Sequence, residues 1–379
     1  MQRFFQMLSE GVERFEGFVV RFIARLQRGR EILEQQGRLS IRAVERELEI
    51  SGDELDELIA ELVDVHDPKQ RRPTPLRRWT AQRRTPTQHP YSGTEEHMDT
   101  WKIGRVNVAR VVEMVLDVSP TILIPDATPE NLEPMYGWLK PHFLHDDGNV
   151  PLSFHSFVVA SDGARIVVDT CVGNHKPRDV PEWNNREGDF LTRLAVCGAP
   201  PETVDIVMCT HLHVDHVGWN TRLVDGRWVP TFPNARYLFA RAEWSFWQNE
   251  VDPFGKEARG DSIEPILEAG LADFVETDHR LTSEVRLVPT PGHTPGHASV
   301  LIESAGERAI ITGDLFHHPM QFARPTWPDV ADVDTALAAR TRQSFMERFS
   351  ADTLVLGTHF PSPTGGRLVR DQTFYRFVV

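Results

Sequence analysis

Cysteine is scarce in this chain: Cys171, Cys197 and Cys209 are the three among 379 residues. Three scattered thiols cannot form the disulfide framework that staples small secreted domains, and Cys209 falls inside an apolar run. A reducing cytoplasm is therefore the expected location. No apolar run approaches the ~18 residues of a membrane-spanning helix, so no membrane association is expected. Met1-Gln-Arg-Phe-Phe5 leads to Glu10 and Glu13 without an apolar stretch or a small-residue cleavage site, and no signal peptide is expected. Basic charge is also short. Lys and Arg total 41 against 55 Asp and Glu, a net charge of −14 that disfavours nucleic acid as a general partner. No serine or cysteine sits in a recognisable nucleophile elbow, which argues against covalent catalysis. The remaining composition, 40% hydrophobic and 25% charged, is that of an ordinary globular protein, and the length allows two domains.

What the chain does have is histidine in one place. His211-Leu-His213-Val-Asp215-His216 puts three imidazoles and a carboxylate into six residues, directly after the apolar run 203–209. Neutral imidazole and carboxylate are ligands for borderline cations such as zinc. His211 and His213 are two apart and point the same way in extended backbone. Asp215 and His216 follow and can turn toward a second position, so one loop can serve two adjacent ions. The pattern recurs downstream as an apolar run, a glycine and a ligand-type residue. Residues 286–290 lead into Gly292-His293-Thr-Pro-Gly296-His297, 309–312 into Gly313-Asp314, and 353–356 into Gly357-Thr358-His359. Loops at strand ends are where folds usually place their sites.

In that order, HxHxDH, PGHTPGH, TGD and GTH, these segments resemble the metallo-β-lactamase superfamily from about Trp101 onward. The resemblance implies an α/β fold, a four-layer αβ/βα sandwich, with a binuclear site along one edge of two sheets. Carried over by position, His211, His213 and His293 would hold the first metal, Asp215, His216 and His359 the second, and Asp314 would bridge both. His297 and Asp169 are expected behind the ligands, orienting them. The implied cofactor is two divalent ions per chain, with zinc favoured by the ligand chemistry and manganese, iron and cobalt also compatible. Such a pair generates a bridging hydroxide at neutral pH. The expected reaction is hydrolysis of an ester, lactone or organophosphate triester, with Asp215, Asp314 and His317 as the catalytic side chains.

The substrate reading rests on neighbouring residues. Homoserine lactonases of the superfamily carry a tyrosine three residues after the bridging aspartate. Here that position is His317, which looks more like the methyl parathion hydrolase or lactonase-like branch. Trp183, Phe316, His317 and Phe360 are expected to contact a small apolar or aromatic substrate. Two other classes stay open. One is a glyoxalase II-like thioesterase or a mononuclear iron persulfide dioxygenase; the other is a non-catalytic scaffold.

Upstream, residues 1–66 read as an all-α interaction module. Leu8, Val12, Phe15, Val19, Phe22 and Leu26 form a heptad-like seam suited to a homodimer. Ser51-Gly-Asp-Glu54 opens a further helix bearing Asp53, Glu54, Asp56, Glu57 and Glu61 but no basic residue, which argues against DNA. Residues 67–97, with five prolines and seven Lys or Arg, read as a linker. The catalytic domain is expected over 98–379. Within it, 106–118 reads as β-rich, 154–168 as a hairpin turning at Asp162-Gly163, and 188–196 and 331–349 as helices.

Overall fold

The computed structural model describes residues 99–248, 258–350, 352–371 and 374–379. The helical module expected over 1–66 and the linker over 67–97 lie outside these residues.

Fifteen strands are found among the described residues: β1 (Thr100–Ile103), β2 (Val106–Val118), β3 (Val150–Ser161), β4 (Ala164–Val168), β5 (Ile206–Met208), β6 (Thr221–Val224), β7 (Arg227–Pro230), β8 (Arg236–Ala240), β9 (Ala272–Val275), β10 (Val285–Pro289), β11 (Ala298–Ser304), β12 (Glu307–Ile311), β13 (Thr353–Leu356), β14 (Gly365–Asp371) and β15 (Phe374–Val378). Seven form one sheet in the order β1-β2-β3-β4-β5-β8-β9, and six form a second in the order β10 to β15. Both sheets are mixed. β4, β5, β8 and β9 run parallel, as do β12 and β13, while the other pairs are antiparallel.

Alternation along the strands explains the layering, because successive side chains point to opposite faces. Ile166 and Val168 of β4 join Ala309 and Ile311 of β12 in a core shared by the two sheets. Val167, between the first pair, faces the other way and packs with Phe190 and Leu194 of α1 (Phe190–Val196). Three further helices matter for the site: α2 (Val214–Val217), α3 (Arg241–Trp247) and α4 (Thr335–Phe349). Ile310 of β12 packs against Phe345, Met346 and Phe349 of α4. Helices therefore cover the outer face of each sheet in an α/β sandwich. Burial of such apolar faces is the main favourable term in folding.

The local elements follow the sequence with informative departures. The hairpin turns at Asp162-Gly163, both with positive φ (51° and 82°), as a two-residue primed turn requires. β3 begins at Val150 rather than Phe154 because β2 is long enough to pair Val118 with Val150. The apolar run 203–209 gives a strand of only three residues, its start being a 3-10 turn at Pro201–Thr203. The late helix starts at Thr335 rather than 331, with the Asp334 side chain accepting from Leu337 N–H at 2.8 Å. Residues 331–334 are left out of the helix, and they turn out to serve the site.

Candidate metal centre

The ligand-type residues converge at one end of the strands. Asp169 follows β4, His211 and His213 follow β5, Asp215 and His216 lie on α2, His293 and His297 lie between β10 and β11, Asp314 follows β12 and His359 follows β13. α2 holds a single turn, closed by His216 N–H donating to His213 O at 3.0 Å. That turn swings His216 away from the direction of His211 and His213.

Two four-residue groups of donor atoms result, each with its members within 4.8 Å of one another: His211, His213, His293 and Asp314, and Asp215, His216, Asp314 and His359; His293, His317 and Asp329 form a third, smaller group beside them. Asp314 belongs to both four-residue groups. Its Oδ2 lies 3.1 Å from His216 Nε2, 3.2 Å from His359 Nε2, and 3.7 Å from both His211 Nε2 and His293 Nε2. Gly313 makes this placement possible. Its φ is +57°, and a Cβ there would stand 2.5 Å from His297 Nε2.

Further groups hold the ligands in orientation. Asp169 Oδ2 faces His216 Nδ1 at 3.0 Å, and the same carboxylate accepts from Thr210 N–H (2.7 Å) and Oγ1 (2.9 Å). His297 stays out of both donor groups. Its Nε2 accepts from the backbone N–H of Asp314 at 2.9 Å while Nδ1 faces Thr290 O at 3.1 Å. His359 is bound into β3, its Nδ1 being 3.1 Å from Ser153 O.

The electrostatics leave the donors ready for a cation. Burial, and then the neighbouring imidazoles, hold His211 and His213 well below the usual histidine pKa, so both rings stay neutral. Burial opposes ionisation of Asp215, but His216 and His359 outweigh it and bring this carboxyl to about 2. Burial likewise opposes charge on His216, yet Asp314, Asp215 and Asp169 together raise its pKa well above normal. Three carboxylates thus call for positive charge at one buried point. Among the buried polar atoms without a hydrogen-bond partner are His211 Nε2 and Asp314 Oδ1. Buried polar groups are rarely left so, and an ion that accepts lone pairs explains both. The residues present fit a pair of divalent cations.

His317 stands at the edge of this centre. Its Nε2 is 3.0 Å from Asp314 Oδ2 and its Nδ1 is 3.3 Å from Asp329 Oδ2. Burial alone would lower its pKa, but Asp329 and then Asp314 outweigh this and raise it to about 9. Trp183 is half-buried and meets Phe154 edge-on at 5.4 Å; Phe154 in turn meets His359 at 5.1 Å. The expectation that Phe316 and Phe360 line the substrate site is corrected. Both are 0% exposed and pack with Phe322, Phe345 and Phe377 in the core outside the second sheet. His317 and His359, adjacent to these two residues, face the site, and the backbone turns the phenyl rings the other way.

Besides Asp329, the residues Asp332, Arg342 and Glu243 carried no recognised signal in the sequence. Asp332 Oδ1 faces His293 Nδ1 at 3.2 Å, and its Oδ2 accepts from Arg342 of α4 at 2.6 Å. The Asp-rich stretch 329–334 was a visible signal, but it reads as a helix start. Arg342, fully buried, also donates to Leu315 O and Trp327 O. Glu243 of α3 accepts from Leu212 N–H (3.1 Å), Gly296 N–H (2.9 Å) and Trp247 Nε1 (2.7 Å), linking two ligand loops. A lone acid in the aromatic run 242–247 was the only trace of it.

Comparison with known proteins agrees with this geometry. A family model described as the metallo-beta-lactamase superfamily matches residues 151–359, more than half of the chain. An N-acyl homoserine lactonase of Bacillus cereus is 32% identical over 118 residues, covering 31% of this chain and 40% of the relative. The N-acyl homoserine lactonase AttM of Rhizobium radiobacter is 26% identical over 180 residues, 46% of this chain and 65% of the relative. The chain thus spans less than two thirds of the length of either. Among solved structures, hydrolase AbOPH of the beta lactamase superfamily aligns with a TM-score of 0.60 at 25% identity, covering 74% of this chain and 96% of that one. The dizinc quorum-quenching lactonase AidC aligns with the same TM-score and coverage at 21% identity, which speaks for the fold alone.

Proposed function

The chain belongs to the metallo-beta-lactamase superfamily, and from that premise we propose that it is a metal-dependent hydrolase with a two-cation centre, acting on a lactone or a related ester. The observation that carries this reading is the pair of donor groups sharing Asp314. His211, His213, His293 and Asp314 would hold one cation; Asp215, His216, His359 and Asp314 would hold the other. When bound, such ions lower the pKa of water toward neutrality and polarise an acyl oxygen.

The chain's own residues organise the rest. Asp169 and Asp332 accept from the rear nitrogens of His216 and His293 and so keep Nε2 of each directed at the centre. His297 secures the backbone of Asp314. His317 presents Nε2 at the rim, where it can donate to an oxygen of the substrate, and Asp329 holds its Nδ1 side. Trp183 and Phe154 offer an apolar wall beside His359. Hydrolysis adds water across the acyl C–O bond, leaving a carboxylate and an alcohol. Lactone as the substrate class is supported by the names of the relatives that match the ligand region. Zinc is favoured by the N/O donor set.

The test is a panel of N-acyl homoserine lactones, other lactones, aryl esters, thioesters and phosphotriesters, assayed against chelated protein and protein reconstituted with zinc, manganese, iron or cobalt. Metal-dependent turnover of a lactone or ester supports the reading. Turnover that survives complete metal removal, or none at full occupancy, overturns it, and turnover of the phosphotriester alone would move the substrate class.

A further inference from the structure

β2 carries an irregularity whose position is informative. Its pairing with β3 is regular from Asn107↔Ala160 to Val112↔His155 and resumes at Met114↔Phe154, so Glu113 is one residue too many for the ladder. Such a bulge re-aims a side chain, and bulges gather beside functional sites. Glu113 is directed into the turn that follows Asp169. Its Oε2 accepts from Val172 N–H at 2.9 Å; its Oε1 accepts from Gly173 N–H at 3.1 Å and from Trp219 Nε1 at 2.7 Å.

The receiving turn is strained. Asp169 and Cys171 have φ of 58° and 48°, uncommon for residues with a Cβ, and Gly173 has 85°. Successive N–H groups in such a turn converge on an anion. Here the chain supplies that anion itself. The turn is also laced to the segment carrying His216: Thr170 N–H donates to His216 O (2.7 Å), Gly218 N–H to Cys171 O (2.7 Å) and Trp219 N–H to Thr170 O (2.8 Å). The approach is so close that a Cβ on Gly218 would lie 1.9 Å from Val172 O.

We propose that Glu113 is a positioning residue for the second donor group: by clamping residues 172–173 and Trp219 together, it keeps the Asp169 carboxylate against His216 and so sets the affinity of the Asp215–His216–His359 side for its cation. The inference rests on the two-cation reading. The first group is held by other contacts, with Asp332 behind His293 and Glu243 across the 212 and 296 loops. Loss of Glu113 therefore acts on one ion and spares the other.

Stepwise Zn²⁺ titration of the metal-free full chain, by calorimetry or against a chromophoric chelator, tests this. The expected result is two ions for the wild type. In Glu113→Ala one ion binds as in the wild type and the other binds about tenfold to a hundredfold more weakly. Glu113→Gln, which keeps one oxygen to accept from Gly173 and Trp219, should fall between. Equal loss of both ions, or no loss of either, overturns the inference and leaves the two-cation reading intact. A wild type that binds a single ion overturns both. Should Glu113→Ala fail to fold, judged by circular dichroism, Trp219→Phe removes one of the three donors while keeping an aromatic ring against Phe190. It must weaken the second ion alone, by a smaller factor, for the inference to stand.

Discussion

Asp332 and Arg342 form an ion pair with both side chains fully buried, and they sit one step behind a proposed metal ligand. Removing one partner of such a pair strands the other charge, which typically costs about 3–5 kcal/mol. Asp332→Ala is expected to destabilise the protein by that order, read from urea unfolding. Asp332→Ala combined with Arg342→Met should recover part of the loss; a double variant no more stable than the single one would show that the stranded charge is not the cause. Lys176 makes a second residue-scale case. It is fully buried, with Nζ 2.8 Å from Thr221 Oγ1, 3.4 Å from Asp261 Oδ1 and 3.7 Å above the Trp228 ring. Burial lowers its pKa to about 8 against the opposing pull of Asp261. Between this value and the ordinary lysine pKa near 10.4 the unfolded chain binds the extra proton, so Lys176 makes stability rise with pH over that window. The slope is at most about 1.4 kcal/mol per pH unit. The wild type minus Lys176→Met difference in unfolding free energy should show this rise from pH 8 to pH 10; a flat difference would refute it.

At the element scale, the boundary of α4 separates structure from function. The pattern of 331–349 predicts one amphipathic helix, yet the helix begins at Thr335 with Asp334 as its cap. Val333 N–H donates to His293 O and Asp334 N–H to Gly292 O, so the two residues before the helix are tied to the ligand loop instead. Helical periodicity reports a buried face and cannot tell where a tertiary contact interrupts it. Asp334→Ala should cost about 1 kcal/mol as a lost N-cap, measured by thermal or denaturant unfolding. Its metal content should stay at the wild-type level, because the backbone contacts of 333 and 334 do not need that side chain. Metal loss in this variant would mean that the cap also holds the loop. The hairpin at Asp162-Gly163 shows the opposite situation: two residues that tolerate positive φ declare a turn whatever surrounds it.

For the whole molecule, the candidate metal centre lies where the two sheets end side by side, with donor residues contributed from both. Cations that bind the folded chain and not the unfolded one stabilise it by mass action, by about 2.7 kcal/mol at a hundredfold excess over Kd. Added Zn²⁺ should therefore raise the Tm of chelated protein by several degrees, in a concentration-dependent way, in a thermal-shift measurement. An unchanged Tm across a zinc series would argue against a centre that joins the sheets. The net charge of −14 bears on partners and solubility at this scale and says nothing about which ester is cleaved.

The residues that the structure gathers into donor groups, and their order along the chain, were legible in the sequence because coordination chemistry is a property of residue type, and a strand followed by a glycine and a histidine is a local signal. The apolar runs 309–312 and 353–356 likewise marked the strands that precede Asp314 and His359. What surrounds the ligands was decided by tertiary structure. Asp332 meets His293 from 39 residues away, Glu113 meets Val172 from 59, and Phe316 and Phe360 turn into the core beside residues that turn out of it. Contacts at such separations leave no periodicity and no spacing in the chain; they exist only once two sheets have packed and set which side of each loop is inside.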